Sequence, residues 1–225
     1  MILMGKTNPG AARHAQQSQI LVPMDTPGIT LVRPMLSMGE DDAPKGHMEI
    51  RFAGVRVPFA NVLLGEGRGF EISQARLGPG RIHHCMRSVG QAERSLSLMC
   101  RRVQRREAFG RKLSQFETIL QDVARSRAEI DQARMLVRSA ADHMDRLGNR
   151  DAYTRQLLSL VKGVVPRTVQ RIVDRCIQAH GAMGVSQDTF LTQAFFGARF
   201  LRIADGPDEV HLRTAARIEL KRQRH

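Results

Sequence analysis

The stretch SQFETILQDVARSRAEIDQARMLVRSAADHMDRL, residues 114–147, decides the fold of this chain. Its apolar residues recur at spacings of four and seven, which is the period of one face of an α-helix. These residues are Ile119, Val123, Ile130, Val137 and Met144. Ser114 followed by Glu117 has the pattern of a capping box, and Gly148 with Asn149 provides a stop. The stretch therefore predicts one long amphipathic helix.

Downstream of this helix, the pattern stays helical to the end of the chain. Asp151 can cap a second long helix, which we predict to run to Ala179 despite an internal proline and to be broken by the glycines at 181 and 184. A shorter helix is predicted over residues 190–203. Pro207 occupies a first-turn position, where proline is tolerated, and so begins the last helix.

Upstream, residues 70–106 form the remaining long helical segment, with Gly78, Pro79 and Gly80 near its start. Proline removes a helical hydrogen bond and glycine allows close approach, so we expect a bend or a tight contact there. Several long helices joined by short connections predict an antiparallel bundle of the four-helix type over residues 70–225.

Residues 1–69 have a different character, because short β-rich runs alternate with turn residues. The predicted strands are residues 19–22, 29–35, 47–57 and 62–64. They predict an antiparallel sheet that begins with no room for a preceding strand, so we expect only part of a β-domain. The fold class is therefore α+β, a partial antiparallel β-domain followed by an all-α bundle.

The formal net charge of +13 raises the question of an acidic partner. Nucleic acid is not favoured, because aromatic residues are only 4% of the chain and stacking platforms are scarce. Phosphate-bearing small molecules would match the charge, and a solvated basic face without a partner is the alternative. No apolar run is long enough to span a membrane, and the three cysteines are widely spaced, so we expect a cytoplasmic protein with reduced thiols.

A metal site is not expected from the adjacent His83, His84 and Cys85. Neighbouring residues on a helix point about 100° apart, and zinc-binding helices space their ligands four residues apart. The glycine-rich residues 65–69 lie between a strand and a helix without the spacing of a dinucleotide fingerprint, which favours a plain turn.

Two segments are candidates for chemistry. In IQAHGAMG, residues 177–184, glycines at a helix end expose backbone N–H groups that can approach a phosphate, or they form an ordinary helix C-cap. In ADGPDEVH, residues 204–211, Asp205 follows an apolar helix and precedes a Gly-Pro turn. A carboxylate there can face a cleft as a general base, or it can cap the following helix.

These segments, in this order, resemble the acyl-CoA dehydrogenase family. RREAFGRKLSQFE (105–117) resembles its RxxFGxxLxxFQ element, QAHGAMG (178–184) its QxxGGxG element, and ADGPDEVH the segment with the catalytic base. ILVPMDTPGI (20–29) and GRGFEISQARLGPGRIHHC (67–85) resemble the branch whose larger eukaryotic members carry an upstream kinase-like domain. The similarity covers nearly the whole chain.

The resemblance implies FAD bound between a β-domain and a four-helix bundle, with its adenosine half reaching a neighbouring subunit. Asp205 falls where most members have the glutamate that removes the α-proton, and Arg81 and Gly206 match substrate-side positions. Arg106 and Phe109 match residues that contact the neighbour's FAD. The complete set of expected cofactor contacts is Arg106, Phe109, Gln178, Gly181, Ala182, Pro207 and Glu209.

The implied function is α,β-dehydrogenation of an acyl-CoA thioester by a homo-oligomer, a dimer or tetramer, that passes electrons to an electron-transfer flavoprotein. Asp205 is one methylene shorter than the usual glutamate, and Glu117, Pro207 and Glu209 also depart from the family pattern. The family's N-terminal helical domain and the first part of its β-domain have no counterpart in these residues. A catalytically incomplete assembly module with only a half-site for FAD therefore remains the alternative.

Overall fold

A computed structural model describes residues 1–41, 44 and 46–224, which fall into two compact units, Met1–Arg76 and Leu77–His225. The first unit contains short antiparallel strand pairs, and the second is helical. The predicted α+β class, with a helical bundle at the C-terminal side, is confirmed. Within the described residues, no helix combines the length and apolar character needed to cross a membrane.

The first unit is built from two-stranded antiparallel sheets. Strand β1 (Ile2–Lys6) pairs with β2 (Gln17–Leu21). Strand β3 (Ile29–Met35) pairs with β4 (His47–Phe52), and the register shifts between Leu31 and Arg33. The β-branched and aromatic residues of these strands suit the pleated backbone, and turns separate them.

Several predictions for this unit were wrong. The chain does have a strand before the first predicted one, because β1 pairs along the whole of β2. The predicted strand 47–57 ends at Phe52. Residues 62–64 form no strand. Val62 makes only an isolated bridge to Ile20, and Leu64 has a positive φ of 56°, which extended β-structure does not allow.

Five α-helices are present in the described residues of the helical unit, counting one that begins just upstream of it. Their bounds are α1 (Gly69–Arg105), α2 (Glu117–Leu147), α3 (Ala152–His180), α4 (Leu191–Leu201) and α5 (Asp208–Arg222). Between α1 and α2 the chain forms a small hairpin from β5 (Glu107–Ala108) and β6 (Arg111–Lys112). A 3-10 helix, Gly181–Val185, follows α3.

Helix α3 is the central helix of this unit, because it packs against α2, α4 and α5. Val161, Val165, Ile172 and Val173 on this helix are fully buried. Side chains of α1, α2 and α4 join them in one hydrophobic cluster. The burial of α3 on several sides explains why its amphipathic pattern is weak. Pro166 lies within the length of this helix.

Helix ends follow the predicted signals in part. Asp151 caps α3, since its Oδ1 accepts from the Thr154 N–H at 2.7 Å, and Gly148 ends α2 with φ +72°. The predicted Ser114–Glu117 capping box is absent, because Phe116 takes the N-cap position in an extended conformation. Pro207 is likewise the N-cap of α5 and precedes its first turn.

The expected close approach near the start of the bundle occurs at Gly78. A Cβ atom at this position would lie 2.8 Å from the Asn149 side-chain amide, which belongs to the loop between α2 and α3. The absence of a side chain thus lets that loop pack against α1, while Pro79 remains within the helix.

Candidate active site

The junction between α4 and α5 places Asp205 in an unusual backbone conformation. Its φ is +57°, in the left-handed region that Asp and Asn enter more readily than other residues with a side chain. Gly206 follows with φ +105°. The N-cap of α5 is Pro207, and within the described residues no hydrogen bond joins the Asp205 carboxylate to a backbone N–H of α5, so it does not serve the capping role considered from sequence.

Basic side chains from three helices hold the backbone of this junction. The Asp205 carbonyl oxygen accepts from Arg81 Nε of α1 at 3.3 Å and from His211 Nε2 of α5 at 3.1 Å. From α3, the Nζ of Lys162 donates to the carbonyl of Leu201, and also to the carbonyl of Gly206 at 3.3 Å. The left-handed turn is therefore restrained immediately before and after the Asp205 side chain.

The Asp205 carboxylate itself faces His84 of α1. The distance from Asp205 Oδ2 to His84 Nε2 is 3.3 Å, and the side chains are 26% and 31% exposed, respectively. Desolvation by burial lowers the pKa of His84, although the carboxylate opposes this shift. A carboxylate that is partly shielded yet reachable by solvent has the character of a general base.

Gly206 is required at this junction for two reasons. Its positive φ is unfavourable for residues with a side chain, and a Cβ atom there would lie 2.8 Å from His211 Nε2. A side chain at this position would displace the imidazole that holds the Asp205 carbonyl.

The structure brings together Arg81, Asp205 and Gly206, three of the residues singled out from sequence. Sequence reasoning missed His84, Lys162 and His211. His84 had been considered only as a metal ligand. Lys162 carried an available signal, because it is a single cation within the apolar run LLSLVKGVV, and its side chain is fully buried.

The acidic residues that follow Asp205 have different surroundings. Asp208 is buried, and its Oδ2 pairs with Arg202 Nε at 2.8 Å and lies 3.8 Å from Arg167. Glu209 and Pro207 are exposed. Asp208 is thus bound into an ion pair that links α4 to the start of α5, and it is a structural residue.

The β5–β6 hairpin presents two of the expected cofactor residues to solvent. Phe109 is 95% exposed and has φ +53°, and Arg106 is also exposed. The Leu113 N–H donates to the Arg106 carbonyl at 2.9 Å, which closes the base of the hairpin. A large aromatic side chain held outward in a left-handed conformation is typical of a contact residue for a partner.

The end of α3 carries the other expected cofactor residues. Gln178, Gly181 and Ala182 are exposed. The Gly181 N–H bonds to the carbonyls of Gln178 and Ile177, so this residue forms the ordinary C-cap considered from sequence. Within the described residues, no hydrogen bond, ion pair or ring contact connects this segment or the hairpin to Asp205.

The cysteines and histidines form no metal site in the described part of the chain, where no cluster of three or more His, Cys, Asp or Glu suited to a metal occurs. The cysteines are free, and burial raises the pKa of Cys85 and of Cys176 to about 12. These two thiols therefore stay protonated and act as packing residues.

The contacts of His211 predict a pH-dependent stability. Burial lowers the pKa of His211 below its usual 6.5, with Arg81 and Lys162 adding to the effect and the Asp205 carbonyl and Asp208 opposing it. The unfolded chain therefore binds a proton at higher pH than the folded chain. The stabilisation that neutral His211 contributes to the folded chain is complete above about pH 6.5. It decreases as the pH falls from there through the pKa of His211 in the folded chain.

We expect the free energy of unfolding, measured with urea, to fall between pH 7.5 and pH 5. The His211→Gln variant should show a shallower fall over this window, whatever its stability at pH 7.5. Carboxylates with lowered pKa values, such as Glu93, change the free energy of unfolding only below about pH 4.5, so they do not contribute between pH 7.5 and pH 5. His83→Gln, at an exposed position of α1, is the matched control. If the free energy of unfolding changed equally with pH in the parent, His211→Gln and His83→Gln, the assignment of this pH dependence to His211 would be contradicted.

Fold and site together define a helical-bundle protein with a fixed carboxylate at the turn between its last two helices. The sequence model described as acyl-CoA dehydrogenase, C-terminal domain, matches residues 67–220. The chain belongs to the acyl-CoA dehydrogenase family.

Individual relatives agree with this assignment. Mouse acyl-CoA dehydrogenase family member 10 is 57% identical over 222 residues, which are 99% of this chain and 21% of that protein. The Mycobacterium tuberculosis protein named probable acyl-CoA dehydrogenase FadE2 is 54% identical over 224 residues, which are 100% of this chain and 54% of that protein. A solved structure from Mycobacterium abscessus, described as an acyl-CoA dehydrogenase, has a TM-score of 0.94 at 46% identity and covers 98% of this chain and 54% of its own. The chain thus spans between a fifth and about half of the length of these relatives.

Proposed function

We propose that this chain is the C-terminal portion of an FAD-dependent acyl-CoA dehydrogenase, with Asp205 as the base that removes the α-proton of the acyl thioester. The observation that carries this proposal is the Asp205 junction. A carboxylate on a left-handed turn, with its own carbonyl held by Arg81 and His211, has a fixed position and a partly accessible side chain.

The proposed reaction divides two hydrogens of the substrate between the protein and the cofactor. Asp205 accepts the α-hydrogen as a proton, and the electron pair of that bond forms the new Cα–Cβ double bond. An FAD held at this site would supply the acceptor for the β-hydrogen, which leaves the substrate as a hydride. Arg81, whose Nε donates to the Asp205 carbonyl, would add positive charge near a substrate that becomes enolate-like, which would support removal of the proton.

The residues present fit an FAD half-site. Arg106 supplies an exposed cation and Phe109 an exposed aromatic ring, which suit a diphosphate and a planar group on a neighbouring subunit. Around Gly181, which has φ +64°, an added Cβ atom would meet nothing within 4 Å, so a ligand can approach the backbone closely. Gln178, Ala182, Pro207 and Glu209 are proposed as further contacts.

The remaining parts of the proposal concern partners. An outward-facing Phe109 serves a function only where another subunit meets it, which supports a homo-oligomer, a dimer or tetramer. The net charge of +13 matches the phosphates of coenzyme A and FAD. We propose an electron-transfer flavoprotein as the electron acceptor, and a cytoplasmic location.

The proposal is tested by joining this chain to the remaining part of the 54% identical Mycobacterium tuberculosis relative. Addition of an acyl-CoA should bleach the flavin absorbance of the joined protein. Arg106→Ala should weaken FAD binding about tenfold, because a charge-assisted hydrogen bond contributes roughly 1.5–3 kcal/mol. The control is Arg101→Ala, an exposed arginine near the end of α1, and this variant should bind FAD as the parent does. A joined protein that binds FAD but is not bleached by any acyl-CoA would contradict the proposed activity.

A further inference from the structure

The two ring nitrogens of His84 have different partners. Nε2 lies 3.3 Å from Asp205 Oδ2, and Nδ1 lies 3.1 Å from Nη2 of Arg87, one turn further along α1. A guanidinium group only donates hydrogen bonds, so Nδ1 must accept and carries no proton in the neutral ring. The ring proton is therefore on Nε2, the nitrogen that lies in an ion-pair contact 3.3 Å from the Asp205 carboxylate.

This arrangement leaves the two carboxylate oxygens of Asp205 unequal. Oδ2 faces the imidazole, whereas Oδ1 accepts no hydrogen bond from any residue that the structure describes. The backbone end of the residue is also held, since Arg81 and His211 both donate to its carbonyl. Asp205 is thus held at its backbone, its Oδ2 lies in an ion-pair contact with the imidazole, and its Oδ1 has no such contact among the described residues.

We propose that His84 is a positioning residue that orients Asp205 so that Oδ1 receives the α-proton, an inference that rests on the proposed function. The Nε2–H fixes the rotation of the carboxylate about its Cβ–Cγ bond. Aspartate is one methylene shorter than the glutamate at the matching family position, and a base displaced by about 1 Å can lose on the order of 100-fold in rate. The left-handed backbone and the imidazole together set the position of the shorter carboxylate.

A neutral imidazole is suited to this role, because it orients the carboxylate without the full charge that would weaken a base. Charged groups reach His84 from each neighbouring element, namely His83 and Arg87 on α1, Lys162 on α3 and Asp205 itself. Burial is the largest influence and lowers the pKa of His84, the three basic groups lower it further, and the carboxylate raises it.

His84 is less suited to be the base itself. Nε2 carries its proton towards Asp205, and Nδ1 is occupied by Arg87, so neither nitrogen offers a free lone pair to a substrate. This alternative makes a distinct prediction, because a histidine base would leave substantial turnover in Asp205→Asn and none in His84→Gln.

The first test needs no catalysis. In this chain labelled with ¹⁵N-histidine, long-range ¹H–¹⁵N spectra should show His84 as the Nε2–H tautomer. Because the carboxylate raises the pKa of His84, Asp205→Asn should move the titration of His84 to lower pH. An Nδ1–H tautomer, or a His84 titration unchanged by Asp205→Asn, would overturn the pairing.

The second test uses the joined enzyme described above. His84→Leu should lower kcat about tenfold at a nearly unchanged KM, because a misoriented base slows proton removal without changing substrate binding. His84→Gln keeps an N–H donor and should recover most of the loss.

The matched control is His83→Gln, which should retain the kcat and the pH profile of the parent. The two proposals fail in different ways. If Asp205→Asn keeps full turnover, Asp205 is not the base and the proposed function fails at this residue. If Asp205→Asn is inactive while His84→Leu keeps the parent kcat, only the positioning role of His84 is overturned.

Discussion

Asp205→Asn in the joined enzyme is expected to lose roughly 100-fold or more of its turnover, because a positioned general base contributes about 10²–10⁴-fold. The amide preserves the shape of the side chain and tolerates the left-handed backbone, with φ +57°, about as well as aspartate does. The donors to the Asp205 carbonyl, Arg81 and His211, are unaffected by the change. FAD binding and the melting temperature should therefore stay close to those of the parent, while acyl-CoA-dependent reduction slows.

The neighbouring acids provide the controls for this prediction. Glu209, proposed above as an FAD contact, is exposed in the first turn of α5, so Glu209→Gln should leave turnover at saturating FAD within a few-fold. Asp208→Asn breaks a buried pair with Arg202 and should lower stability instead of the intrinsic rate. A fully active Asp205→Asn together with an inactive Glu209→Gln would place the base at a different residue.

The long helices could be predicted from sequence because their signals are local. In α2 the apolar period alone identifies the buried face, and Ile130 and Val137 from that stripe are indeed in the core. The Asp151 cap and the Gly148 stop also depend on residues within one turn. Strand β1 was missed because its existence depends on pairing with a segment across a loop, which no window of neighbouring residues contains.

The candidate site could be predicted only in part for the same reason. Asp205 was found through its segment, whereas His84 lies 121 positions earlier in the numbering, on a different helix. Nothing in the local pattern of α1 distinguishes His84 from His83, and the helical rotation between them decides which one meets the carboxylate. The left-handed conformation of Asp205 is also a product of its neighbours, since it follows from donors on three other elements.

Substitution of Lys162 has the second largest expected effect on turnover. The effect is indirect, because Lys162 holds the backbone around Asp205. Its Nζ donates to the carbonyls of Leu201 and Gly206, so one buried cation connects the end of α4 to the turn that follows Asp205. Burial lowers the pKa of Lys162, with Cys85, Asp205 and Asp208 opposing the shift. An ammonium in such surroundings carries a desolvation cost, and its carbonyl contacts compensate for that cost.

Lys162→Met is expected to lower turnover by on the order of 100-fold, the loss associated with displacing a reacting group by about 1 Å. Methionine has a similar length and no donor, so both carbonyls lose their partner and the turn relaxes around Asp205. The free energy of unfolding should change by less than about 2 kcal/mol, because hydrogen bonds from a charged group contribute about 1.5–3 kcal/mol and removing the buried charge offsets them. Parallel measurements of kcat and urea unfolding separate these effects, with Lys221→Met, an exposed lysine of α5, as the control. The Lys162→Met variant could show the expected free energy of unfolding and still keep the parent kcat. In that case the Lys162 hydrogen bonds are not needed to position Asp205, and those from Arg81 and His211 suffice.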